Sequence, residues 1–90
     1  MAKSKDYKLT TWADGFGKWY AKADFTYPGL GNTGEAERVL FNARRGAHWA
    51  IKNQVALRQG ENKWRLALEV VANEFEPGIG RMLSITWKER

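Results

Sequence analysis

Gly29-Leu30-Gly31-Asn32-Thr33-Gly34 fits G-x-G-x-x-G and lies between an expected strand and an expected helix. In a dinucleotide site such glycines let the backbone approach a pyrophosphate held at the helix N-terminus. The surrounding chain argues against that chemistry. A chain of 90 residues is too short for a doubly wound sheet. About 20 residues on, where an acid would bind the ribose, stand Lys52, Asn53 and Gln54. Pro28 as a strand exit and Asn32 as a helix N-cap explain the stretch without a ligand. It is no Walker loop, because no Gly-Lys-Ser/Thr follows.

The remaining reactive residues are sparse. His48 is the sole histidine and there is no cysteine, so no transition-metal cluster is spelled out. A position beside Trp49 suits His48 to packing or a helix-end contact. Ser4 and Ser84 lack the context of a nucleophile elbow. Glu74 and Glu76 flank Phe75 just before a Pro-Gly turn, where carboxylates are ordinarily solvated. The expectation is a non-catalytic protein with no cofactor and no metal.

The elements that must position any binding residues follow from periodicity. Tyr7 to Thr11 has strand-forming residues, and Asp14-Gly15-Phe16-Gly17 suits a hairpin turn. Trp19, Ala21, Ala23 and Phe25 then alternate with Lys18, Tyr20, Lys22 and Asp24, the signature of a half-buried strand. Whether Trp12 shares a face with Trp19 depends on the loop register. Asn32 with Glu35 has capping-box spacing, and Ala36, Val39, Leu40 and Ala43 make an apolar helical stripe. Arg44 and Arg45 complement the negative helix end, and Gly46 is a natural stop, so the helix is expected over about residues 33–45.

Residues 47–58 could extend the helix, but they are read as a strand, with Trp49, Ile51, Val55 and Leu57 alternating with Ala50, Lys52, Gln54, Ala56 and Arg58. After the loop Gln59-Gly60-Glu61-Asn62, Trp64, Leu66, Leu68, Val70 and Ala72 alternate again. Pairing Arg58 with Lys63 puts the large apolar residues on one face and Lys52 opposite Glu69. Pro77 to Gly80 makes the last turn, and Leu83, Ile85 and Trp87 form a closing strand. The expected fold class is α+β: a two-layer sandwich of mostly antiparallel sheet and one helix, in the order ββαβββ.

Residues 1–5 read as a disordered basic tail and 6–90 as one domain, since so short a chain seldom supports two cores. Five Trp, three Tyr and four Phe supply that core. Without cysteine there is no disulfide framework, which favours a reducing, cytoplasmic setting. No signal peptide or apolar run of membrane-spanning length is expected, and hence no membrane partner.

Fifteen basic against ten acidic side chains give a net charge of +5. The excess sits in residues 32–58, where Arg38, Arg44, Arg45, Lys52 and Arg58 face Glu35 and Glu37. On the expected sheet, the face away from the helix carries Lys18, Tyr20, Lys22, Lys52, Arg58, Arg65 and Lys88, spaced by small residues. Cations for phosphates and a tyrosine for base stacking point to nucleic acid. Arg44 and Arg45 could add phosphate contacts. Val71 and Met82 are apolar where water is expected, and suggest the alternative of a protein-interaction module or homodimer.

Phe25-Thr26-Tyr27-Pro28-Gly29 and Arg38-Val39-Leu40-Phe41-Asn42-Ala43-Arg44-Arg45 resemble stretches of small, functionally uncharacterised proteins from bacteriophages of actinobacteria. The resemblance implies the cytoplasm of an infected bacterium, with a host protein as the partner in the interaction alternative. It implies no activity and no functional residues.

Overall fold

The computed structural model describes residues 7–26, 33–58, 60, 65–74 and 82–90. Four strands and one helix follow one another as β1 (Lys8–Ala13), β2 (Trp19–Thr26), α1 (Thr33–Val55), β3 (Leu68–Glu74) and β4 (Met82–Glu89). The strands form one antiparallel sheet in the order β1-β2-β4-β3, with β1 and β3 at its edges. The α+β class, the single helix and the antiparallel sheet agree with the expectation from sequence.

The turn between β1 and β2 shows how local chemistry sets register. The Asp14 carboxylate Oδ1 accepts hydrogen bonds from the backbone N–H groups of Phe16 (2.8 Å) and Lys18 (3.0 Å). Asp14 N–H in turn donates to the Lys18 carbonyl at 2.9 Å. Gly17 adopts φ +83°, a left-handed conformation that glycine takes without a Cβ clash. This turn pairs Trp12 with Tyr20. Trp12 therefore lies on the sheet face away from the helix, and Trp19 on the face toward it.

The helix corrects the expectation of an extra strand. It runs unbroken through Gly46 to Val55, so residues 47–55 are helical and the element order is ββαββ. Beyond it, 3₁₀-type bonds from Leu57 N–H to the Gln54 carbonyl and from Arg58 N–H to the Val55 carbonyl close the last turn. Residues 47–58 carry both an alternating and a helical apolar pattern, and burial chose between them. Ala36, Val39, Ala43, Ala47, Ile51 and Val55 form a continuous buried stripe, whereas Trp49 and Leu57, needed for the alternating reading, are 62% and 80% exposed.

The stripe packs chiefly over β1 and β2. Ala43 and Ala47 share a core with Ala21 and Ala23 of β2, and these small side chains let helix and sheet approach closely. Ile51, Val55, Ile85 and Trp87 complete this cluster, and Phe25, Val39 and Leu83 form a second one toward the helix N-terminus. Gly46 is not a stop because Tyr7 lies against it: a Cβ at this position would meet the Tyr7 phenol well inside contact distance. A close approach, not a chain reversal, is what glycine provides here.

The strand expected from Trp64 begins at Leu68. A bulge between Val70 and Ala72 shifts its pairing with β4, so that Val70 opposes Trp87 but Ala72 opposes Thr86. The Gly29–Gly34 motif up to Asn32, the Asn32 cap, the basic tail, Ser4, Lys63, Trp64, Glu76 and the Pro77–Gly80 turn lie outside the described residues.

Candidate nucleic-acid interface

The sheet face away from the helix is not the cationic surface expected from sequence. Its rows, read across the strands, are Trp12–Tyr20–Lys88–Glu69, Thr10–Lys22–Thr86–Ala72 and Lys8–Asp24–Ser84–Glu74. Lys8, Lys22 and Lys88 are thus balanced by Asp24, Glu69 and Glu74. Lys22 lies 3.9 Å from Asp24 on the same strand. Opposite charges so arranged cancel any long-range field.

Of the residues expected there, the sheet brings together only part. Tyr20, Lys22 and Lys88 do share the face, with Lys88 Nζ 5.7 Å from the Tyr20 ring centroid. Tyr20 also stacks on Trp12, with ring centroids 5.4 Å apart and planes within 7°. Lys18 sits beside the first turn, its Nζ 3.4 Å from the backbone oxygen of Arg90. Lys52 belongs to the helix, and Arg65 is an exposed residue of the connection before β3. The physical reason is the longer helix, which removes residues 47–55 from the sheet.

Arg58 has a structural task. Its Nη2 bonds Glu89 Oε1 at 2.6 Å and its Nη1 donates to the Gly17 carbonyl at 3.0 Å. Glu89, only 4% exposed, also accepts the Trp19 backbone N–H at 2.8 Å. One guanidinium–carboxylate pair thereby ties the end of the helix to the first hairpin and to β4. Val71 and Met82, the alternative interface, do not form one patch. Met82 pairs with Thr26 at one end of β4, while Val71 lies at the bulge beside Thr86 and Trp87. Four to five residues of strand put about 13–17 Å between them.

The fold holds the Asp14 carboxyl off its usual behaviour. The backbone N–H of Lys18 lowers its pKa from the ordinary 3.8, with further help from the Phe16 N–H, the Tyr20 hydroxyl and the Lys88 charge, against partial desolvation. This carboxylate is a turn clamp. Ser84 lies on the sheet face opposite the helix that carries His48, so the two are not placed for nucleophilic catalysis. Among the described residues, no group of three or more His, Asp or Glu is placed to hold a metal ion, and no helix is long and apolar enough to cross a membrane.

The cationic surface is on the outer side of α1. Residues 38–60 contain Arg38, Arg44, Arg45, Lys52 and Arg58 and neither Asp nor Glu. Arg38 is engaged at the helix start, its Nε 3.1 Å from Glu35 Oε2, and Arg58 by Glu89. Arg44, Arg45 and Lys52 follow along the helix, and among the described residues no carboxylate lies within ion-pair distance of Arg44 or Arg45. Two large aromatic side chains stand among them, Phe41 at 58% and Trp49 at 62% exposure. The Arg45 guanidinium lies 6.0 Å from the Phe41 ring centroid and Lys52 Nζ 4.7 Å from that of Trp49.

Helical geometry produces this ridge. Phe41, Arg45, Trp49 and Lys52 follow one another at steps of four, four and three, so they share a face. Arg44 and His48 flank them by the same spacing. Between the two aromatics, Phe41, Asn42, Arg44, Arg45, His48 and Trp49 line an open concavity of about 580 Å³. From sequence, Arg44 and Arg45 fall at a helix terminus and Trp49 and Lys52 on a strand, which separates the residues of the ridge. The signal that could have found it is the acid-free run together with a second stripe, offset from the buried one by half a helix turn. No family model matches the chain, and neither a curated protein nor a solved structure does.

Proposed function

We propose that this protein is a non-catalytic nucleic-acid-binding module, and that its contact surface is the outer face of α1. The observation that carries this reading is the ridge of Phe41, Arg44, Arg45, Trp49 and Lys52 on a helix side free of carboxylates from Arg38 onward. Arg44 and Arg45, with no carboxylate beside them among the described residues, attract phosphates through counterion release. Exposed rings beside them offer flat surfaces to bases. The charge-balanced sheet face lacks the first of these properties.

Fluorescence anisotropy with labelled nucleic acid over a salt series tests the proposal. Three engaged cations give a slope of log affinity against log salt of about −2 to −3. The variant Arg44→Glu/Arg45→Glu/Lys52→Glu is expected to lose binding while keeping its far-ultraviolet circular dichroism. Lys22→Glu, on the sheet face, is expected to bind as the parent does. Unchanged binding by the triple variant would refute the assignment.

A protein partner or second copy is the competing reading, favoured by one observation: β3 is an edge strand with Val70 and Val71 53% and 47% exposed. The bulge and Glu69 and Glu74 blunt that edge against pairing. Light scattering separates the two readings, because a dimer indifferent to salt is expected only from the second.

A further inference from the structure

Resting on the nucleic-acid reading, we infer that the ligand of the α1 face is a single strand, with Phe41 and Trp49 each stacking a base. The two rings are eight residues apart, which places them about 12 Å apart along the helix axis at 1.5 Å per residue. In a duplex the faces of every base are covered by its neighbours, so a ring can stack only by wedging a step open. A 12 Å spacing would require two wedged steps about three to four base pairs apart, given ~3.4 Å per pair. Each wedge costs a few kcal/mol of unstacking. A single strand presents bare base faces and pays little to splay them.

The cations fit the same strand. Each ring has a positive group at its face, Arg45 at Phe41 and Lys52 at Trp49. A base that stacks on the ring therefore brings its own phosphate within reach of a neighbouring charge. The concavity between the rings gives the intervening nucleotide polar partners in Asn42, Arg44 and His48. Both rings already stand in water, so the surface is formed before the ligand arrives. The helix that carries both rings is already folded, so binding adds no backbone ordering.

The test compares labelled oligothymidylate of about fifteen nucleotides, near the upper end of common single-strand site sizes, with a duplex of equal length at one salt concentration. The single strand is expected to bind at least tenfold more tightly. Phe41→Ala and Trp49→Ala are each expected to weaken it by roughly 5- to 100-fold, the worth of one stacked base. Neither should alter the salt slope, because no phosphate contact is removed. Arg44→Gln and Arg45→Gln should each reduce that slope by about 0.7. Trp49→Phe keeps a stacking surface and should retain most of the affinity. Equal or tighter duplex binding, or alanine variants that bind as the parent does, would overturn the single-strand assignment while leaving nucleic-acid binding intact. Failure of the parent protein to bind either probe would overturn both.

Discussion

Replacing Gly46 by alanine sets two effects of opposite sign against each other, and the structure says which prevails. In a helix interior alanine is favoured over glycine by about 1 kcal/mol, through lower backbone entropy in the unfolded chain. At Gly46 the added Cβ would lie under 3.0 Å from the Tyr7 hydroxyl oxygen and 3.3 Å from Cζ of the same ring. Two such contacts with one ring call for displacement of Tyr7, which packs against both core clusters. Overpacking of this kind costs about 1–3 kcal/mol. With two contacts the upper half of that range applies, leaving a net loss of roughly 1–2 kcal/mol after the helix gain is subtracted. For a chain of this size that lowers Tm by about 4–15 °C. Thermal unfolding followed by circular dichroism measures it directly. The decisive arm is the Tyr7→Ala background, where the same Gly46→Ala change has nothing to strike and is expected to stabilise by about 1 kcal/mol. A rise in Tm from Gly46→Ala in the otherwise unaltered protein would refute the argument that Tyr7 is seated on the glycine.

The Arg58–Glu89 pair, its carboxylate buried and its guanidinium part-buried, and the Asp14 turn give two further expectations. Glu89→Ala takes away the carboxylate that Arg58 Nη2 and the Trp19 N–H both donate to, leaving Arg58 its bond to the Gly17 carbonyl, and should destabilise by about 2–4 kcal/mol in urea titration. Arg58→Ala added to it should cost much less than it does alone, and additive losses would show that the two groups do not act as a pair. Asp14 has a folded pKa below its ordinary 3.8, so its contribution is complete above about pH 4 and fades as pH falls through the lowered value. Amide exchange of the Phe16 and Lys18 N–H groups should speed up in that acid range, and Asp14→Asn should weaken the pH dependence. Protection that holds unchanged down to pH 2 in the parent would contradict the assigned clamp.

Local chemistry made much of the fold readable. The alternation of Trp19, Ala21, Ala23 and Phe25 marks β2 because period two is all a half-buried strand needs. The Asp14–Gly17 stretch marks its hairpin, because the turn needs a side-chain acceptor and a left-handed glycine within four residues. Leu83, Ile85 and Trp87 mark β4 for the same reason as β2. The helix start is carried by Ala36, Val39, Leu40 and Ala43. Fold class and most strands therefore follow from short-range pattern alone.

The candidate site did not follow, since it depends on where the helix ends. Residues 47–58 satisfy a strand pattern and a helix pattern at once, and Gly46 carries the local meaning of a stop. What decides is contact between segments distant in sequence: Ala47 and Ile51 buried against β2 and β4, and Tyr7 filling the space a side chain at Gly46 would take. The charge balance of the outer sheet face is likewise a matter of partners, because Asp24 and Glu69 meet Lys8 and Lys88 only once register is set, and the bulge places Glu74 on the same face. The chain's own order of residues determined that it builds a small α+β unit with excess positive charge in its middle third. The tertiary packing alone decided that this charge is displayed on a helix, since which face of residues 47–55 is buried is fixed by the sheet beneath them.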